Sequence, residues 1–187
     1  DAWVVSESGG YRVLPANREL AGAEVEMVDL DNRETRLRDA LDPVLAAFDF
    51  VLIDCPPALN LLTVNALCAS DAVMIPMQCE YYALEGLSDL VNTVKRVRAH
   101  LNPRLEIEGL LRTMFDPRNT LAQQVSAQLQ QHFLDKVYRT VIPRNVRLAE
   151  APSYGMSVLK YDRQSKGALA YLALAGELLS KHSRTPS

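Results

Sequence analysis

The chain has 187 residues, 48% of them hydrophobic and 23% charged, with a formal net charge of −3; these are the proportions of a globular chain long enough for one substantial core. No run of about 18 apolar residues occurs, which excludes a helix that crosses a bilayer, and residues 1–7 lack the basic start and long apolar stretch of a secretion signal. The three cysteines, Cys55, Cys68 and Cys79, contain no C-x-x-C pair and are read as free thiols of a reducing cytoplasm.

Taken in chain order, short apolar runs alternate with segments of helical period. Tyr11–Pro15 is expected to be a short strand ended by its proline, after which Asn17 caps a helix from Glu19. A second helix is expected over residues 34–48. Phe50–Ile53 is a continuous apolar run, the pattern of a strand covered on both faces. A short helix over 62–69 and a strand over 72–76 follow. Residues 84–100 place Leu84, Leu87, Val91, Val94 and either Val97 or Arg98 near one face of a long helix. A strand over 105–114, a helix over 120–133, a strand over 137–142 stopped by Pro143 and a helix over 165–179 complete the series. The tail 180–187 is polar and expected to fray. This alternation predicts one α/β domain over 1–187 with a parallel sheet.

Charge is divided unevenly. Residues 1–90 carry 16 acidic and 5 basic side chains, and residues 91–187 carry 7 acidic and 15 basic. A basic second half points to a polyanionic partner. The sharpest single residue is Asp54, which ends the 50–53 run. A carboxylate there would stand at the C-terminal edge of a parallel sheet, where open α/β folds bind ligands. Nucleotide hydrolases hold a hydrated Mg²⁺ with a carboxylate so placed; the alternative is an aspartate that caps a loop. Pro56 and Pro57 then force the chain out of the sheet.

From here the sequence resembles a known family. FVLIDCPPALNLLTVNAL (50–67) is similar to the Walker B strand and switch segment of ParA/Soj-type partitioning ATPases. YRVLPANRELAGAEVEM (11–27), VMIPMQCEYYALEGL (73–87), LLRTMFDPRNTLAQQV (110–125) and TVIPRNVRLAEAPSYGMSVLKYD (140–162) continue the match in order. The resemblance implies a doubly wound, mostly parallel sheet of the P-loop NTPase type, incomplete at its N-terminus. The family's glycine-rich phosphate loop, K-G-G-V-G-K-T-T, has no counterpart here; Gly9-Gly10 lacks the following lysine. Its Asp-Pro-Gln-Gly-type segment is absent too, so the chain reads as a fragment expected not to hydrolyse ATP alone.

The resemblance implies ATP and Mg²⁺ as cofactors of the complete protein, with Asp54 on the magnesium through water and Met114, Pro143 and Asn145 around the adenine. It implies a homodimer that binds duplex DNA without sequence preference through Arg118 and Arg147, a ParB-type partner, and a nucleoid-associated location. Lys136, Arg139, Arg144, Lys160, Arg163 and Lys166 surround these arginines in sequence, against Glu150 and Asp162; arginines of this kind contact phosphates. Sparse aromatic interleaving favours duplex over single strands. His100, His132 and His182 are too scattered for a metal site, and Cys55 alone does not make an iron–sulfur ligand set. The C-terminus is too short and polar for the membrane-binding helix of a MinD-like relative. Two other readings stay open: a non-enzymatic remnant that binds DNA or a partner, and a related positioning ATPase of the septum or flagellum.

Overall fold

The computed structural model describes residues 3–6, 9–56 and 58–183. Pro57 and the end of the tail, 184–187, lie outside the described residues. The described chain divides into two compact units, one drawn from residues up to Ala72 with Val94–Glu106, the other from Val73–Thr93 with Ile107 onward.

In the first unit, β1 (Val4–Val5) pairs antiparallel with β2 (Arg12–Val13), Val4 opposite Val13. The expected strand over 11–15 is thus one arm of a hairpin and not part of a parallel sheet. Gly10, at φ +67°, supplies the left-handed residue that closes the turn. Helix α1 (Glu19–Glu26) has Arg18 at its N-cap position, with no side-chain cap bond; Asn17, expected as the cap, stands one residue earlier and its Oδ1 accepts the Glu19 N–H at 2.9 Å. The helix expected over 34–48 is shorter: α2 (Arg36–Leu41) ends at Asp42, and only a 3₁₀ turn, Leu45–Ala47, follows. Pro43 causes the break, because it has no N–H for the next helical bond and its ring crowds the preceding turn.

Helix α3 (Leu61–Ala69) is capped by Asn60, whose side chain accepts the Thr63 N–H at 3.0 Å. Buried Asn65 binds α3 to α2, donating to Arg33 O at 2.7 Å and accepting from Leu37 N–H at 3.1 Å. Asn102 closes the other end of α3, donating to Leu67 O and Ser70 O at 3.0 and 2.7 Å. Each amide thereby satisfies backbone groups that burial would otherwise leave unpaired.

Residues 50–53 depart from expectation. The run lies in no strand, and Val51 and Leu52 are 41% and 86% exposed. A strand persists only where neighbours satisfy its N–H and C=O groups. Among the described residues this run belongs to neither of the two sheets. Asp54 accordingly sits in exposed irregular backbone, not at the edge of a sheet.

The second unit holds a three-stranded sheet in the order β3 (Ala72–Gln78), β4 (Glu106–Phe115), β5 (Val137–Pro143). β4 and β5 are parallel. β3 passes through Pro76, which is exposed and tolerated because β3 ends the sheet. Side chains alternate across the sheet. Leu110 packs on one face with Ile75, Met77 and Val137, under Leu87 of α4 (Ala83–His100) and Val125 and Leu129 of α5 (Thr120–Phe133). Leu111 points to the other face with Tyr138 and Ile142, under Leu174 of α8 (Lys166–His182). Helices therefore cover both faces, the doubly wound arrangement.

Gly109 permits the close approach of β4 to β5: a Cβ there would lie 2.7 Å from the Tyr138 ring and 2.9 Å from Lys136 O. Two short helices were not expected from the sequence, α6 (Val146–Glu150) and α7 (Val158–Tyr161), with a 3₁₀ turn Ala151–Tyr154 between them. Residues 180–182, expected to belong to a frayed tail, are helical, since α8 continues to His182.

Candidate functional site

The predicted residues fall in both units. Asp54 belongs to the first, and among the described residues no group of three or more His, Cys, Asp or Glu side chains gathers to hold a metal. A lone carboxylate suits Mg²⁺ only where waters and phosphates supply the other ligands.

The second unit contains a cavity of about 200 Å³ at the ends of β3 and β4, lined by Gln78, Cys79, Glu80, Met114, Asp116 and Arg144 among others. Three local features shape it. Arg144 N–H donates to Phe115 O at 3.1 Å, tying the chain after β5 to the chain after β4. β4 carries an extra residue here, because Arg112 pairs with Val141 and Phe115 with Pro143. Within that bulge Met114 adopts φ +51°, uncommon for a residue other than glycine. The Cys79 thiol is pushed up by burial and stays protonated, so it contributes a small apolar surface.

Of the three residues predicted to frame a base, Met114 lines this cavity. Pro143 and Asn145 do not; they flank Arg144, which does. Asn145 instead caps α6, its Oδ1 accepting the Arg147 N–H at 2.9 Å. Sequence reasoning missed Asp116 and Asn119, and it placed Arg144 only among the basic residues around the two arginines. The signal for Asn119 was present, an asparagine before a helical run: its side chain accepts the Leu121 N–H at 2.9 Å and so anchors the floor of the cavity.

Both arginines predicted to meet DNA are exposed and paired. Arg118 forks onto Asp116, with Nε to Oδ1 at 3.0 Å and Nη2 to Oδ2 at 2.8 Å. Those bonds, then the Arg118 N–H on the same carboxylate, hold Asp116 down at about 2. The folded pKa lies below the ordinary 3.8, so this contribution to stability is present above pH 4 and is lost as pH falls from about 4 to about 2. An NMR titration of the Asp116 carboxyl is expected to give about 2 in the native chain and to return toward 3.8 in Arg118→Gln; equal midpoints would remove the fork as the cause. Arg147 is held between Glu150, at 2.9 Å, and Asp162, at 3.4 Å. Tyr161 steadies Glu150 through a 3.2 Å hydrogen bond and stacks on Tyr154 with centroids 5.0 Å apart.

Among the described residues no helix is long and apolar enough to cross a membrane. A family model described as an AAA domain matches residues 2–107. An uncharacterized Pseudomonas putida protein is 64% identical over 179 residues, covering 96% of this chain and 68% of its own length. The chromosome partitioning protein ParA of Caulobacter vibrioides is 54% identical over 183 residues, covering 97% and 68%. The sporulation initiation inhibitor protein Soj of Bacillus subtilis is 58% identical over 166 residues, covering 89% and 66%. The chain thus spans about two thirds of these relatives' length. Among solved structures, cobyrinic acid a,c-diamide synthase from Mycobacterium smegmatis with bound ADP and magnesium superposes with a TM-score of 0.82 at 35% identity, covering 98% of this chain and 67% of that one. The Pyrococcus furiosus cell division ATPase MinD, 22% identical with a TM-score of 0.73 and covering 96% and 70%, shares the fold. With a three-stranded sheet wound on both faces and relatives of this similarity along nearly its whole length, the chain belongs to the ParA/Soj-type family of partitioning ATPases, in an incomplete P-loop α/β fold.

Proposed function

We propose that this chain carries the base-binding and DNA-contacting parts of a ParA-type partitioning ATPase. The observation that carries the reading is the 3.1 Å bond from Arg144 N–H to Phe115 O, which joins the two strand ends around one cavity beside Met114. Adenine is flat and apolar on its faces with polar edges. Met114, Ala122 and Cys79 offer apolar surface, and Gln78, Asn119 and Arg144 offer hydrogen-bonding groups. The Mycobacterium smegmatis neighbour, which binds ADP and magnesium, supports nucleotide as the ligand class.

Asp54 would hold magnesium through a water, and the chemistry that Mg²⁺ supplies when bound is neutralisation of phosphate charge during transfer. Arg118 and Arg147 would contact DNA phosphates. Arg118 can exchange its partner readily, because solvent screens an exposed ion pair of this kind; its side chain is 88% exposed. Assembly as an ATP-bridged homodimer on the nucleoid, with a ParB-type protein stimulating hydrolysis, completes the proposal. The chain alone has no glycine-rich loop to grip phosphates, so it is expected to turn over no ATP and to bind nucleotide only weakly, near the millimolar range that corresponds to about −4 kcal/mol.

Titration of ADP against the methyl resonances of the five methionines tests the reading. Met114 is expected to shift at millimolar ADP while Met27 stays still. A Met114 signal that never moves, or saturation in the micromolar range, would overturn respectively the base cavity or the weak-binding claim.

A further inference from the structure

The one charged side chain in the buried stretch of β4 is not explained by a base cavity or a DNA surface. Arg112 is only 6% exposed, and among the described residues no carboxylate oxygen lies within ion-pair distance of it. Its surroundings show an indirect arrangement. Leu110 pairs with Val137 and Arg112 with Val141, so β5 advances four residues while β4 advances two. The peptide groups around Arg139 are thereby thrown out of the ladder and need other partners.

Those partners come from two opposite charges. Arg112 Nη2 donates to Tyr138 O at 2.8 Å and to Arg139 O at 3.2 Å. On the other side of the same two peptide groups, Arg139 N–H donates to Glu177 Oε1 at 2.8 Å and Thr140 N–H to Glu177 Oε2 at 2.9 Å. Each displaced peptide is therefore bonded at both ends, guanidinium on its carbonyl and carboxylate on its N–H. The peptide dipoles align with the field between the two charges, which strengthens the bonds, most of all the buried one from Arg112 to Tyr138 O. Arg112 Nη1 also donates to Ser126 Oγ of α5 at 2.8 Å, so the guanidinium links β4, β5 and α5, while Glu177 brings in α8.

This clamp lies directly before the strand ends that make the cavity. Arg112 is the last paired residue of β4 ahead of the Met114 bulge, and Thr140 is three residues before Pro143. How far β5 slips along β4 decides whether Arg144 N–H can reach Phe115 O. We propose that Arg112 and Glu177 are a pair of positioning residues, acting through two shared peptide groups of β5 to set the shape of the cavity beside Met114. The inference deepens the nucleotide reading and rests on it for the identity of the ligand, but not for the clamp.

The test compares Arg112→Met, Glu177→Gln and their double variant with Val125→Ala, which thins the same core from α5 without touching the clamp. Amide exchange at Arg139 and Thr140, the Met114 methyl shift and ADP affinity are read on the full chain. Glu177→Gln is expected to speed exchange at both amides at least tenfold, to move the Met114 resonance, and to weaken ADP binding about tenfold. Arg112→Met is expected to do the same, with the double variant little worse than either single one, because the two act as a unit. Val125→Ala is expected to lower the melting temperature while leaving Met114 and ADP affinity alone. If Arg112→Met does not fold, Arg112→Lys, which keeps the charge and loses the fork, takes its place. Clamp variants that only lower the melting temperature, as Val125→Ala does, would overturn the proposal. Should the native chain bind no ADP, the nucleotide reading fails, and the positioning claim is then decided by the amide exchange and the Met114 shift alone.

Discussion

Joined to the N-terminal third of the Caulobacter vibrioides ParA relative, this chain is expected to hydrolyse ATP with magnesium, and Asp54→Asn is expected to lower that rate about 10–100-fold, the usual loss for a group that holds a metal through its water. The expectation rests on residues 50–53. They form an apolar run with the composition of a buried strand, yet Leu52 is 86% exposed and the run lies in no ladder. Strand partners supplied by the added segment would satisfy its backbone, bury Val51 and Leu52 and carry Asp54 to the rim of the sheet. Two readouts separate folding from chemistry. Amide exchange at residues 51–53 should slow sharply in the joined protein whether residue 54 is native or substituted. Hydrolysis should depend on magnesium only in the native version. A joined protein that is active and indifferent to Asp54→Asn would remove this carboxylate from the metal.

Reversing charge at both exposed arginines, Arg118→Glu with Arg147→Glu, is expected to flatten the salt dependence of duplex binding. Each phosphate contact contributes close to one unit of slope in log affinity against log salt. Losing two would make the fall in affinity between 50 and 200 mM salt about tenfold smaller, with lower affinity throughout. Sequence preference should not change, because phosphate contacts carry none. The ion pairs sharpen the prediction. Arg118 is tied to Asp116 alone, whereas Arg147 is shared by Glu150 and Asp162, so Arg118→Glu should account for the larger part of the change. A slope equal to the native one would place DNA on another face.

The layering of the second unit was legible in the sequence because its signals are local. The runs that became β3, β4 and β5 are apolar enough to be recognised, and the helix over 120–133 has Asn119 to start it. Pro43 was an equally local signal, and the helix expected across it was broken there. Helices α6 and α7 are four or five residues long, too short for a period to show, although Asn145 and Ser157 stand at their starts. Residues 50–53 failed for a different reason: composition can specify a strand, but pairing across the sheet has to come from elsewhere in the fold.

The site was legible to a lesser degree. Asp54 was read from the apolar run that it ends and Met114, Arg118 and Arg147 were expected from family resemblance, and nothing in periodicity reveals that the chain after β5 meets the chain after β4. Arg112 did leave a trace, an arginine inside the apolar stretch Leu110–Met114. Such a residue is almost never buried unless its donors are met. Its partners, however, are two backbone carbonyls of a bulged strand and Ser126 Oγ, with Nε left without a hydrogen bond, a geometry that no local pattern encodes.

Crystals of the chain soaked with ADP at millimolar concentration give the most direct measurement. The account predicts adenine density against Met114 and Cys79, with the ring edge toward Arg144 and Asn119. Adenine bound in another pocket, with the cavity beside Met114 filled only by water, would contradict it.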